Sequence, residues 1–231
     1  MEALYGSELK ERFKAGRKEF SDIILQFTEF NDENLEGLII RNSKIDYTQF
    51  RSANLKNAKF INCEMFFASF FSAELENTIF DKCKIDMTRF DSARLKNTKI
   101  LNSHISYCLL MDVNTGEIDL RNTSQFKLIT NPGAVTNEEI ADALRIIGNH
   151  AEDLPIEIKI EIQRRISGSL EDFGRDPKMA QFSPENKPYS SSDSTYSRAS
   201  NLYHAMNSFV DDMIKYGNEA GVYRAKRKYG K

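Results

Sequence analysis

The sequence has no tryptophan, and only three cysteines, three histidines and five prolines in 231 residues. An odd number of cysteines without a CxxC spacing argues against both a disulfide framework and a zinc site. The histidines, His104, His150 and His204, stand in no HExxH motif, and no phosphate loop or nucleophile–base spacing accompanies them. Catalysis therefore finds no support, and no cofactor is expected. There is no run near the roughly eighteen apolar residues of a membrane span. The amino terminus, MEALYGSELKERFKAG, lacks an apolar signal core. These two absences lead us to expect a cytoplasmic protein without membrane contact. A formal net charge of −2 makes the whole chain neither a polyanion nor a basic nucleic-acid binder.

What is abundant is phenylalanine, sixteen residues, within a chain that is 40% hydrophobic. The apolar residues recur with a period of five. Every fifth residue from Phe20 through Leu110 is large and apolar, as in Phe50, Leu55, Phe60, Met65 and Phe70. Neither the helical period of 3.6 nor the strand period of 2 gives this spacing. Two positions before each large residue, from Ser43 onward, stands a small one, and Cys63, Cys83 and Cys108 all fall in that series. A large and a small side chain alternately facing inward suit a narrow tube, so the cysteines are expected to be buried, inert thiols.

A twenty-residue period lies on top of the first. Phe30, Phe50, Phe70, Phe90 and Leu110 form one column, and Leu35, Leu55, Leu75 and Leu95 another. Twenty residues thus make one coil of four sides. Four to five coils at a strand spacing of ~4.8 Å give a rod about 20–25 Å long. Asn57, Asn77 and Asn97 repeat at turn positions, where Asn tolerates unusual backbone angles.

The segments Ala53-Asn54-Leu55-Lys56-Asn57, Ala73-Glu74-Leu75-Glu76-Asn77 and Ala93-Arg94-Leu95-Lys96-Asn97 resemble the pentapeptide-repeat family, whose pattern is A-[D/N]-L-x-x. The resemblance covers about residues 20–125 and implies a β-solenoid, a right-handed quadrilateral β-helix, usually without enzymatic activity. Two departures stand out. Ile23 and Glu33 occupy positions that should be small, and Thr115 breaks the large-residue series, which places the end of the tube near Asp112 to Arg121.

The flanks read as caps and a tail. Residues 1–19 form an amino-terminal capping segment, with a short helix over 7–18 that has Ser7 as N-cap and Leu9 and Phe13 facing inward. Residues 126–173 read as a helical capping segment whose first helix presents Ile140, Leu144 and Ile147. Within it, 155–166 fits either a helix or a strand. Residues 174–198, with Pro177, Pro184, Pro188 and the run SSSDSTYS, read as a flexible linker. Residues 199–231 form an amphipathic helix, with Leu202, Met206, Phe209 and Met213 on its apolar face, followed by a basic tail.

Outward positions of a solenoid are free of core duty, so function is sought there. One outward column is apolar: Phe27, Tyr47, Phe67, Met87 and Tyr107, widened at mid-length by Phe66 and Phe71. A contiguous apolar row marks a contact surface. Its occupant could be the chain's own helices, a second copy in a homodimer, or a protein partner of unknown identity. The leading expectation is a non-enzymatic protein–protein interaction or scaffold module. Family members that confer quinolone resistance mimic DNA and bind type II topoisomerases such as gyrase, which needs ordered acidic charge. Here Glu36, Lys56, Glu76 and Lys96 alternate in sign along one column, which does not support that alternative. A third reading is nucleic-acid contact through the tail residues Arg224, Lys226, Arg227, Lys228 and Lys231, less favoured than a solvated terminus.

Overall fold

The computed structural model describes residues 1–126 and 128. The chain opens with β1 (Glu2–Ala3) and helix α1 (Gly6–Lys14), then winds through β2 (Glu19–Ser21), β3 (Ile23–Gln26), β4 (Ile39–Arg41), β5 (Lys44–Asp46), β6 (Lys59–Ile61) and β7 (Glu64–Phe66). It continues with β8 (Ile79–Asp81), β9 (Lys84–Asp86), β10 (Lys99–Leu101), β11 (His104–Ser106), a 3-10 turn at Thr115–Glu117 and β12 (Ser124–Phe126). All strand pairs are parallel and most are offset by twenty residues, as in Ile45↔Met65 and Phe60↔Phe80. One face is the five-stranded sheet β2-β4-β6-β8-β10, and another is the seven-stranded sheet β1-β3-β5-β7-β9-β11-β12. The two remaining faces are held by single bridges such as Gln49↔Ser69 and Asn54↔Glu74. The twenty-residue period therefore becomes a four-faced β-solenoid.

The solenoid has about six turns rather than four to five. The surplus lies at both ends of the longer sheet, where β1 pairs below β3 and β12 pairs above β11. Thr115 does not end the tube. The chain detours through the 3-10 turn, in which the Asn114 side chain accepts from the Gly116 amide at 3.2 Å, and then regains register. The Asn102 amide donates to the Arg121 carbonyl at 3.2 Å, and Phe126, placed at sequence level in a helical segment, is the last residue of a strand.

The interior follows the fivefold series. Phe20, Phe30, Phe50, Phe60, Phe70, Phe80 and Phe90 are all buried. Phe50 and Phe70 stack at 5.1 Å between ring centroids and Phe60 on Phe80 at 5.0 Å, while Phe70 and Phe80 meet edge to face at 5.7 Å. Offset stacks alternating with edge contacts are the arrangements the ring quadrupole favours. The small residues lie beside them, and their polar atoms are satisfied by the backbone. Thr78 and Thr98 hydroxyls donate to the carbonyls of Leu55 and Leu75 at 2.7 and 2.8 Å. Cys83 and Cys108 thiols point at the carbonyls of Phe60 and Ile85 at 3.3 and 3.5 Å. The cysteines are free and buried. Burial pushes the Cys108 thiol up to about 12, and for Cys83 the hydrogen bond with Cys63 and burial both act upward.

Helix α1 places Leu9 and Phe13 in this core but differs from the expected 7–18 span. Tyr5, not Ser7, is its N-cap, without a side-chain hydrogen bond. Gly16 at φ +100° ends it four residues early, its amide donating to the Phe13 carbonyl at 2.9 Å. Glu33 does not enter the tube. It reaches Lys10 and Lys14 of α1, each at 3.4 Å. Ile23 is buried at its position. The expected helices and linker over 127–231, with Leu202, Met206, Phe209 and Met213, lie outside the described residues apart from Leu128.

Candidate interaction surface

A four-faced coil turns four corners, and each corner residue adopts a left-handed backbone, with φ between +50° and +58° for every non-glycine residue there. One corner is built from Gly37, Asn57, Asn77 and Asn97, a second from Asp22, Asn42, Asn62, Lys82 and Asn102, and a third from Asp32, Ser52, Ser72 and Ser92. Glycine, Asn and Asp suit this conformation because they avoid or compensate the Cβ clash. Their side chains also form ladders: the Asn97 amide donates to Asn77 Oδ1 at 3.2 Å and that of Asn62 to Asn42 Oδ1 at 2.9 Å.

The fourth corner has the same backbone and opposite chemistry. Phe27, Tyr47, Phe67, Met87 and Tyr107 all have φ from +50° to +54°. A bulky residue in this region costs about 1–2 kcal/mol, so five in a column need a compensating interaction. Phe27 stacks on Tyr47 at 4.7 Å, Phe66 meets Tyr47 edge-on at 5.3 Å, and Phe126 meets Tyr107 edge-on at 5.5 Å. Phe126 is in register with Ser106 and so holds the flanking place that Phe66 holds beside Tyr47, which the sequence reading missed because it ended the tube earlier.

Although these residues point away from the core, they are not open to solvent. Tyr47, Phe66, Phe67, Met87 and Tyr107 are 0–3% exposed, whereas Phe27 and Phe71 are half-buried. Polar residues on the same flank are buried with them: Gln49, Ser69, Asp86, Asp91 and Ser106. Asp86 accepts from the Ser106 hydroxyl at 2.5 Å and pairs with Lys84 at 3.3 Å, and Asp91 pairs with Arg89 at 2.9 Å. Phe71 lies under the guanidinium groups of Arg51 and Arg89, at 5.9 and 5.1 Å. Burial, with Asp46 adding to it, drives the Tyr47 phenol well above its ordinary range, so it is neutral at any physiological pH.

The other walls carry charges of both signs in matched pairs. Lys56 meets Glu74 at 2.6 Å, Lys96 meets Glu76 at 3.5 Å and Lys44 meets Glu64 at 3.4 Å. Such a wall offers no extended acidic field. His104 faces outward and shares a 2.8 Å hydrogen bond with Ser124. Among the described residues no group of three or more His, Cys, Asp or Glu side chains could hold a metal ion, and no helix is long and apolar enough to cross a membrane.

Residues 48–86 match the family model of pentapeptide repeats, in eight copies. No curated protein matches the chain. Rfr23, a pentapeptide repeat protein from the cyanobacterium Cyanothece 51142, is 13% identical at a TM-score of 0.50, over 53% of this chain and 98% of its own. The pentapeptide repeat protein alr5209 from Nostoc PCC 7120 is 20% identical at a TM-score of 0.37, over 56% of this chain and 98% of its own. A trypsin-treated form of QnrB1, a plasmid-mediated fluoroquinolone resistance protein, is 12% identical at a TM-score of 0.32, over 56% of this chain and 89% of its own.

Proposed function

We propose that the pentapeptide-repeat solenoid of this chain is a non-enzymatic interaction module, a rigid rod whose aromatic corner receives an amphipathic helix of a protein. The observation that carries this reading is the column Phe27, Tyr47, Phe67, Met87 and Tyr107, held in left-handed backbone that three other corners reserve for Asn, Asp, Ser, Lys and Gly. A column of rings along a straight edge suits the helix-in-groove mode, where anchors at i, i+4 and i+7 meet a row of side chains. In the same reading α1 is the amino-terminal plug that shields the open end of the coil from edge pairing. The mixed-charge walls favour no DNA mimicry, and gyrase inhibition is not part of the proposal.

The test is Phe67→Glu in the full chain, followed by circular dichroism, light scattering after size exclusion, and capture of partners from the native host. The strand signal and cooperative melting are expected to persist while assembly state or partner capture changes. Unchanged assembly together with unchanged capture would refute the reading.

A further inference from the structure

We infer that two copies of this chain associate through the outer face of the five-stranded sheet β2-β4-β6-β8-β10, their coils antiparallel about a two-fold axis along β6. This wall runs between the corners of Asn57 and Asn62 and is separate from the aromatic corner.

The strands of this sheet are in register from coil to coil, as in Ile39↔Lys59 and Lys59↔Ile79, so their outward side chains stand in two columns. The first column reads Glu19, Ile39, Lys59, Ile79 and Lys99. The second reads Ser21, Arg41, Ile61, Asp81 and Leu101. Apolar residues alternate between the columns, so Ile39, Ile61, Ile79 and Leu101 zigzag along the length of the face. All four are half-buried, in contrast to the fully buried Ile40, Phe60 and Phe80 between the columns. A contiguous apolar strip framed by charge has the anatomy of a contact surface.

Charge complementarity selects a second copy as the occupant. In a two-fold contact the same patch serves both partners. With the axis along β6, Ile39 meets Ile79 of the second copy and Ile61 meets its own counterpart. Arg41 meets Asp81 of the second copy and Glu19 meets Lys99, each contact occurring twice by symmetry. Within one chain Arg41 already holds Glu19 at 2.6 Å. The charges then run Lys99, Glu19, Arg41, Asp81 across the interface, alternating in sign. Asp81 Oδ1 takes the Asn102 amide at 2.8 Å, and a carboxylate has acceptor capacity for a further donor. Lys59 faces its own counterpart on the axis.

Other arrangements lose this match. An axis along β4 sets Arg41 against itself, and one along β8 sets Asp81 against itself and Lys59 against Lys99. An axis midway between β6 and β8 sets Ile39 against Lys99 and Ile61 against Asp81. Parallel coils set Ile39 against Arg41 and Ile79 against Asp81. Opposed like charges and buried unpaired charges disfavour each of these. Five strands at ~4.8 Å spacing and a side of about 14 Å give a contact of on the order of 1,000 Å² over both copies, at the low end of specific interfaces. The pair is therefore weak, with a dissociation constant on the order of 10 µM.

Sedimentation velocity of the full-length chain from roughly 1 to 200 µM is expected to show a reversible monomer–dimer equilibrium. Arg41→Asp and Asp81→Arg, each alone, place two like-charge contacts in the pair and are expected to weaken it about tenfold or more. An equal mixture of the two variants is expected to recover association, because an acid then faces a base at both contacts. Lys59→Ala removes the repulsion on the axis and is expected to tighten the pair about two- to fivefold. Circular dichroism and melting establish that each variant is folded. A parent that stays monomeric throughout this range overturns the pairing. So does a dimer that neither reversal weakens, or a pair of folded variants that fail to associate when mixed.

Discussion

The asparagine corner and the aromatic corner are the same piece of backbone with different side chains. Asn77 at φ +58° and Phe67 at φ +54° both end a fivefold unit, both turn the chain by one face, and both repeat at twenty residues. On the first corner the side chain stabilises its own turn, since the Asn97 amide reaches Asn77 Oδ1 across one coil at 3.2 Å. On the second the side chain strains it. The coil dictates the turn and leaves the choice of side chain open, so a residue that opposes the turn reports a requirement from outside the coil.

Both corners stand on one interior, and breaking that interior has the largest expected effect. Phe70 is buried between Phe50 and Phe90, with centroid distances of 5.1 and 5.2 Å. Phe70→Ala is expected to destabilise the solenoid by about 3–5 kcal/mol through lost burial plus a cavity. Urea denaturation should show a lower midpoint, and both corners should melt together. An unchanged midpoint would mean that the ring stack does not hold the coils.

The next effect separates the corners. Phe67→Asn turns one step of the aromatic corner into the asparagine kind. Relief of the left-handed strain gains about 1 kcal/mol, and loss of a buried ring costs ~1.5–3 kcal/mol. A net destabilisation of roughly 0.5–2 kcal/mol is therefore expected from thermal or urea unfolding. A stabilised variant would show that the corner is open in solution, since only the strain relief would then count. The reciprocal change, Asn77→Phe, places a ring in strained backbone at an exposed site and removes an amide ladder. It is expected to cost about 1 kcal/mol with no compensating burial. A gain in stability from this variant would dissolve the distinction between the corners.

What could be read from the sequence divides along the same line. The interior was legible because inward and outward residues alternate along each side, so the fivefold series names Phe50, Leu55, Phe60 and Met65 without reference to any partner. The thiols of Cys63, Cys83 and Cys108 followed from their place in the small series. The aromatic column was visible, but its burial was not, because burial of an outward residue depends on what lies over it. Nor was its left-handed backbone read, although Asn57, Asn77 and Asn97 two residues after Leu55, Leu75 and Leu95 carried that signal, and the aromatic residues hold the equivalent place after Ile45, Met65, Ile85 and Ile105. The end of the tube, placed near Asp112 to Arg121, was set too early, since a fivefold count cannot see that backbone pairing resumes once a 3-10 turn has replaced one side.

The smallest expected effect belongs to the charged wall beside the asparagine corner. Glu74 accepts from Lys56 and is also reached by Arg94, and the hydrogen bond from Lys56 holds its carboxyl below the ordinary 4.5. A folded value below the unfolded one means that the interaction stabilises the protein above the unfolded value, and that this contribution is lost as pH falls through the folded one. Glu74→Gln should therefore lower the melting temperature slightly at neutral pH, and the difference from the parent should close as the solution is acidified below 4.5. High salt should shrink the same difference, because exposed pairs are screened. The destabilisation of Phe67→Asn should not shrink in high salt, since apolar burial rather than charge sets it. Unequal responses of the two substitutions to salt would therefore separate a wall set by exposed charge from a corner set by apolar burial, and equal responses would leave that distinction without support.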